Sequence, residues 1–286
     1  MLNIDLHCHS HVSDGVLPPA DVVLRAAANG VHVLALTDHD DVAGLAEAQL
    51  AALQAGITLI AGVEISVSWQ RRTVHIVGLR INPRHPLLVE GLHGIRVGRT
   101  LRAQRMSEDL ARHGIADAYE GARGHAVNKQ MIGRTHFARW LVEQGHVRDV
   151  HSAFKHFLTS GKPGYVEHEW ATLDNAVNWI RASGGMAVLA HPGRYDLSAR
   201  DLHLLLDAFR SLGGEGIEVV TGSHHAFEYG KFADLARAFG LKASRGADFH
   251  VPGEGVDLGR LPALPHYCKP VWQNWPEIEC LLAQTH

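Results

Sequence analysis

Cysteine is scarce in this chain, and the three present, Cys8, Cys268 and Cys280, show neither complete pairing nor zinc-finger spacing, which argues against a disulfide framework. Long apolar runs are missing too. No stretch approaches membrane-spanning length, and the amino terminus lacks the basic and apolar regions of a signal peptide. Low-complexity segments and internal repeats are absent, and charged residues make up 20% against 46% hydrophobic, which excludes a disordered chain. These absences leave a globular protein expected in the cytoplasm, with no membrane contact and no protein partner indicated. Its 286 residues suit one barrel-sized domain carrying an insertion.

Histidine is what the chain has in excess, with 22. The net charge of −3 also conceals an asymmetry: residues 84–165 hold 13 basic and 7 acidic side chains, net +6, which leaves the remainder at −9. An acidic body with a basic insertion suggests a cation site facing an anion-binding cap.

The first histidines sit in Asp5-Leu6-His7-Cys8-His9-Ser10-His11, just after a short apolar opening, residues 1–4, that suits a buried strand. Residues two apart on an extended backbone leave the same side, so His7 and His9 can share one cation while Cys8 points into the core. Asp14 and Gly15 follow in a turn that can fold the carboxylate back. Further strands are expected at residues 33–37, 57–65, 73–79, 186–190, 216–220 and 241–247. Helices are expected at residues 19–29, 42–55, 172–183, 198–212 and about 225–239, and the tail with Trp272, Trp275 and Ile278 should close one end by packing. Residues 84–165 interrupt the alternation with helices at 87–113, 135–144 and 147–158.

Seven strands with intervening helices point to a parallel barrel or a doubly wound sheet. The polar residues favour the barrel. His7 and His9, His39, Glu64, His191, and Asp248 with His250 all come at or just after the carboxyl ends of strands, which a barrel gathers on one face. His75 lies inside its strand. Imidazoles and carboxylates together suit manganese, zinc or iron, and nine such groups exceed what one ion can use, so two or three divalent cations are expected. Glu64 could bridge two of them, and a bridging water would ionise near neutrality and act as nucleophile. Asp38 and Asp40, flanking His39, are read as an orienting partner and a helix-start residue.

Five separated motifs, Asp5-Leu6-His7-Cys8-His9-Ser10 with Ser13-Asp14-Gly15, Thr37-Asp38-His39, Gly62-Val63-Glu64, Ala190-His191-Pro192 and Ala247-Asp248-Phe249-His250, resemble in order those of the PHP family (polymerase and histidinol phosphatase). The resemblance implies a distorted seven-stranded (β/α)7 barrel, residues 1–83 and 166–286, with residues 84–165 as a helical insertion. It also implies a trinuclear centre. His7, His9, Glu64 and Asp248 would hold one metal, Glu64, His75 and His191 a second, and Asp14, His39 and His250 a third, with manganese the first choice and zinc or iron the alternatives.

Within the insertion, Ile132-Gly133-Arg134-Thr135-His136-Phe137-Ala138 and Gly161-Lys162-Pro163-Gly164-Tyr165-Val166 are similar to the stand-alone PHP phosphoesterases acting on nucleotides. Typical relatives have proline at Thr135; Arg134 and His136 stay in place as candidate substrate contacts. The implied substrate is a small nucleotide, a 3′,5′-bisphosphonucleotide losing its 3′-phosphate, with short 5′-phosphorylated RNA as the alternative. Histidinol phosphate and a non-catalytic metal-binding module are further alternatives. A doubly phosphorylated substrate needs two anchors: metals for one phosphate, Arg134 and Lys162 for the other. Glu64 and Asp248 would serve catalysis at the metals, Arg194 would clamp the reacting phosphate, and His225 would protonate the leaving oxygen.

Overall fold

A computed structural model describes residues 2–284, so Met1 of the expected first strand lies outside the described residues. Strand β1 (Ile4–Asp5) leads through α1 (Pro19–Ala28) to β2 (Val33–Leu36), and α2 (Leu45–Ala55) leads to β3 (Thr58–Trp69) and β4 (Arg72–Leu79). The insertion contains α3 (Pro86–Arg112), α4 (Ala118–His125), α5 (Arg134–Glu143) and α6 (Val150–Ala153), the last continuing as a π-helical turn, Phe154–Leu158. Alternation then resumes with β5 (Ala171–Thr172), α7 (Leu173–Ala182), β6 (Met186–Leu189), α8 (Ala199–Ser211), β7 (Gly216–Thr221), α9 (Tyr229–Ala238) and β8 (Lys242–Gly246), and α10 (Pro276–Gln284) is the last element of the described residues.

The sheet runs β1-β2-β3-β4-β6-β7-β8, with β5 paired to the far end of β3. Leu6 N–H donates to Arg245 O at 3.0 Å and Asp248 N–H to His7 O at 2.9 Å, so β8 returns to β1 and the sheet is a nearly closed seven-stranded barrel. It is not uniformly parallel, as a simple alternation would have it. β4 runs antiparallel to both β3 and β6, because Gln70 and Arg71 turn the chain at once with φ of 46° and 63°, the tight hairpin geometry that matches strand twist. Reversal explains His75: the beginning of β4, not its end, lies at the carboxyl rim of the parallel strands.

Ile4, Leu6, Val33, Ala35, Ile60, Val77, Leu79, Val188 and Ala190 fill the barrel interior, and Val271, Trp275 and Ile278 from the tail join the same cluster. The tail therefore closes one end by burying apolar surface, as its aromatic residues imply. A larger cluster lies between the strands and the flanking helices and includes Cys8, whose thiol donates to Ala35 O at 3.2 Å. A third, around Met106, Leu110, Phe137, Trp140 and Leu141, belongs to the insertion. Helix α3 joins the two regions: Leu88, Leu92 and Ile95 pack with the barrel helices, Ala103, Met106 and Leu110 with the insertion. Helix α4 has no counterpart among the sequence expectations, since Gly121 and Gly124 weaken its pattern. Among the described residues no helix is long and apolar enough to cross a membrane.

Candidate metal centre

All nine sequence-selected donors meet at one rim. His7 Nε2 and His9 Nε2 stand 3.1 Å apart, each 3.4 Å from Glu64 Oε2 and 3.5 and 3.3 Å from Asp248 Oδ1. His75 Nδ1 and His191 Nε2 lie 2.9 and 2.8 Å from Glu64 Oε1, while His39 Nδ1 lies 2.8 Å from Glu64 Oε2. Asp14 Oδ1 is 3.3 Å from His250 Nε2 and 4.0 Å from His39 Nε2. Donor atoms fall within 4.8 Å of one another in four overlapping groups: His7, His9 and Glu64; His7, His191 and Asp248; His39, Glu64 and His75; and His9, Asp14, His39 and His250.

These atoms fit divalent cations on chemical grounds. Asp14 Oδ1, His39 Nδ1, Glu64 Oε2 and Asp248 Oδ1 are buried without a well-formed hydrogen bond among the described residues, an arrangement that is costly unless something positive sits between them. Burial alone would raise the carboxylic acids, yet the surrounding imidazoles outweigh it and hold Asp14, Glu64 and Asp248 well below the ordinary range, ready as anions. Burial, reinforced by neighbouring histidines, pushes His9 down to about 3, and it takes His75 to about 4 despite Glu64, which leaves neutral rings with lone pairs to donate.

The supports of the rim are less regular than the strands beneath. Asp40, His191 and Asp248 adopt φ of 47°, 22° and 55°, a region that L-residues avoid and functional sites tolerate. Asp38 accepts Ser10 N–H at 2.8 Å, Ser10 Oγ–H at 2.7 Å and Ser13 Oγ–H at 2.7 Å, which fixes the loop carrying His9 and Asp14 and agrees with its orienting role. Asp40 is not a helix-start residue. It is buried against Ser66 and the Arg99 guanidinium, and Asp41 instead accepts the N–H groups of Val42 and Ala43, which leaves α2 to begin later, at Leu45.

Arginines from the insertion approach this rim. Arg96 donates to Asp40 O at 2.8 Å, Arg139 to Asp14 O at 3.0 Å, and Arg99 stacks over Trp170 at 4.6 Å while binding Asp40. Arg102 stacks over the same indole at 5.4 Å and is buried, and Arg134 lies over Phe154 at 5.7 Å; neither has a carboxylate partner among the described residues. Burial, with Arg134 and Arg99 adding like charge, takes Arg102 down to about 9, a measure of its missing counter-charge. Arg194 is half exposed and donates to Asp248 Oδ2 at 3.0 Å. His136 is buried with Nδ1 accepting Gly133 N–H at 3.0 Å. Lys162 is exposed, and His225 is exposed with its ring stacked on Phe227. One group at the rim escapes sequence reading: Glu218 in β7, whose signal is an acid inside the apolar run Ile-Glu-Val-Val.

A nearly closed β/α barrel whose rim gathers imidazoles and carboxylates in overlapping donor groups defines a metal-dependent hydrolase. The chain belongs to the PHP family, whose domain model matches residues 5–96. It is 53% identical over 275 residues, 96% of each chain, to a 3′,5′-nucleoside bisphosphate phosphatase of Chromobacterium violaceum. It is 41% identical to a 5′-3′ exoribonuclease of Haemophilus influenzae, covering 95% of this chain and 98% of that one. The solved structure of an amidohydrolase from Chromobacterium violaceum, with bound sulfate and no metal, superposes with a TM-score of 0.92 at 52% identity and covers 97% of this chain and 96% of that one.

Proposed function

We propose that this protein hydrolyses the 3′-phosphate of 3′,5′-bisphosphonucleotides, giving the nucleoside 5′-monophosphate and phosphate. One observation supports the reading: Arg102 and Arg134, from the insertion, influence each other electrostatically and bind backbone carbonyls of Val166 and Leu158 but no carboxylate among the described residues, which suits them to a second phosphate. Buried cations are ordinarily paired, so the buried Arg102 beside the partly buried Arg134 favours an anion from outside. The similarity to a bisphosphate phosphatase supports the same substrate, and the sulfate in the related structure shows that relative accepting a tetrahedral dianion.

Two or three divalent cations, manganese first and zinc or iron as alternatives, would be held by His7, His9, Glu64 and Asp248, by Glu64, His75 and His191, and by Asp14, His39 and His250. When bound, they neutralise phosphate charge and lower the pKa of water towards neutrality. The chain's own groups do the rest. Arg194, next to Asp248, clamps the phosphate that reacts, and Arg102 and Arg134 hold the 5′-phosphate at a fixed distance from it. His225, two residues beyond Ser223, which binds Asp248 Oδ2 at 2.6 Å, supplies the proton to the leaving oxygen. The buried, unpaired thiol of Cys8 accords with a reducing cytoplasmic setting.

Similarity to an exoribonuclease over nearly the full chain favours one second reading, 5′-to-3′ trimming of short 5′-phosphorylated RNA at the same site. Parallel assays of a bisphosphonucleotide and a labelled 5′-phosphorylated oligonucleotide, with chelator and with added manganese, decide between them. Phosphate release from the bisphosphonucleotide should stop on chelation and return with metal. A metal-replete sample inert towards the bisphosphonucleotide removes the first reading.

A further inference from the structure

Glu218 is buried in β7, 1% exposed, and takes no part in the chemistry described so far. A register shift in the pairing of β7 with β8 occurs between Glu218 and Val220, and such bulges re-aim the side chains beside them. Its two carboxylate oxygens go to two different metal-ligand candidates. Oε1 lies 2.8 Å from His7 Nδ1, and Oε2 accepts the backbone N–H of His191 at 2.6 Å.

We infer that Glu218 is a positioning residue that sets the direction of both ligands; the inference rests on reading the rim as a metal centre. The hydrogen between Glu218 and His7 is assigned to Nδ1, so that the carboxylate accepts on both oxygens, one from the His7 ring and one from the His191 backbone. The lone pair of His7 is then confined to Nε2, the atom that faces His9 Nε2 and Asp248 Oδ1. A carboxylate behind an imidazole also raises its basicity as a ligand. The second oxygen addresses a separate difficulty: His191 turns out of β6 with φ 22° and ψ 60°, just before Pro192. Held by Glu218, that backbone directs His191 Nε2 to within 2.8 Å of Glu64 Oε1. One side chain thus couples ligands just after β1 and β6, which no single strand could align.

A buried acid that merely satisfied an orphan N–H would be replaceable by glutamine without consequence for metal uptake. Titrating metal-free wild type and Glu218→Gln with manganese or zinc against a chromophoric chelator tests this. Glu218→Gln should bind roughly 10- to 100-fold more weakly, in line with substitutions behind histidine ligands. Wild-type affinity and stoichiometry in a folded Glu218→Gln would remove the Glu218 role and leave the metal centre standing, whereas no uptake by the wild type would remove both. Should the variant not fold, ¹⁵N spectra of histidine-labelled, zinc-loaded wild type read the tautomer directly. His7 protonated at Nδ1 and zinc-bound through Nε2 is the expected result; a proton on Nε2, or zinc on Nδ1, overturns the inference.

Discussion

Arg194 donates to Oδ2 of Asp248 at 3.0 Å, so the one guanidinium or ammonium paired with that carboxylate among the described residues leaves its Oδ1 facing His7 and His9. Because Arg194 is half exposed, it can address a bound phosphate and Asp248 together, and the planar fork suits both. Arg194→Ala should retain metal and lose roughly two orders of magnitude in kcat/KM, the scale for removing one donor to a developing oxyanion. Steady-state kinetics with elemental analysis check this. Loss of metal instead would mean that Arg194 acts on Asp248 alone.

The Arg102 and Arg134 pair predicts a different signature. Arg102→Met should raise KM for a bisphosphonucleotide roughly 10- to 100-fold, the range for a charge-assisted hydrogen bond, while hydrolysis of an aryl monophosphate stays near wild type. Sulfate or phosphate should raise the Tm of the free wild type, since an anion that binds only the folded state stabilises it. That shift should be absent in Arg102→Met.

Much of the rim is legible in the sequence because its information is local. An H-x-H pair on an extended backbone and polar residues at strand ends carry their geometry with them, so His7, His9, His39, His191, Asp248 and His250 come out together. Strand direction does not. Alternating burial reads the same forwards and backwards, and Gln70-Arg71 is not the Asn-Gly pair that announces a tight hairpin, so the reversed β4 is invisible until His75 is seen at the rim. In the sequence, Arg96, Arg99, Arg102 and Arg105 recur at every third position, a period that drifts around a helix and so gives Arg99 and Arg102 little weight, yet a single step of three leaves two side chains only about 60° apart. Drift exposes Arg105, while Arg99 and Arg102 both reach Trp170. Glu218 depends on its partners just after β1 and β6, which no local pattern records.

His136 gives the metal-free protein a pH dependence of defined sign. Burial is the main cause of its fall to about 4 from the ordinary 6.5, so the folded state prefers the neutral ring and its Nδ1 stays free to accept Gly133 N–H. The unfolded chain takes up the proton first as pH drops. Stability from this group is therefore complete above about 6.5 and is lost as pH falls towards 4, by roughly 3 kcal/mol in all. Urea unfolding in chelator between pH 4.5 and 8 should show this contribution, and His136→Gln should make the slope measurably shallower.

Gly246 closes the barrel where the two halves of the centre meet. A Cβ there would stand 2.3 Å from His7 Cβ and 2.6 Å from His7 N, and the backbone cannot move aside as a flexible side chain would. Relief requires β8 to part from β1, which opens the hydrogen bonds Leu6 N–H to Arg245 O and Asp248 N–H to His7 O. Gly246→Ala should therefore cost about 3 kcal/mol, the upper end for overpacking a rigid interior. It should also weaken metal binding, because His7 and Asp248 lie on opposite sides of that seam. Gly230, with open space around it on α9, is the control: Gly230→Ala should leave metal affinity unchanged and slightly raise Tm through helix propensity. Equal behaviour of the two variants in melting and metal titration would show that the seam tolerates separation and that the centre does not depend on its closure.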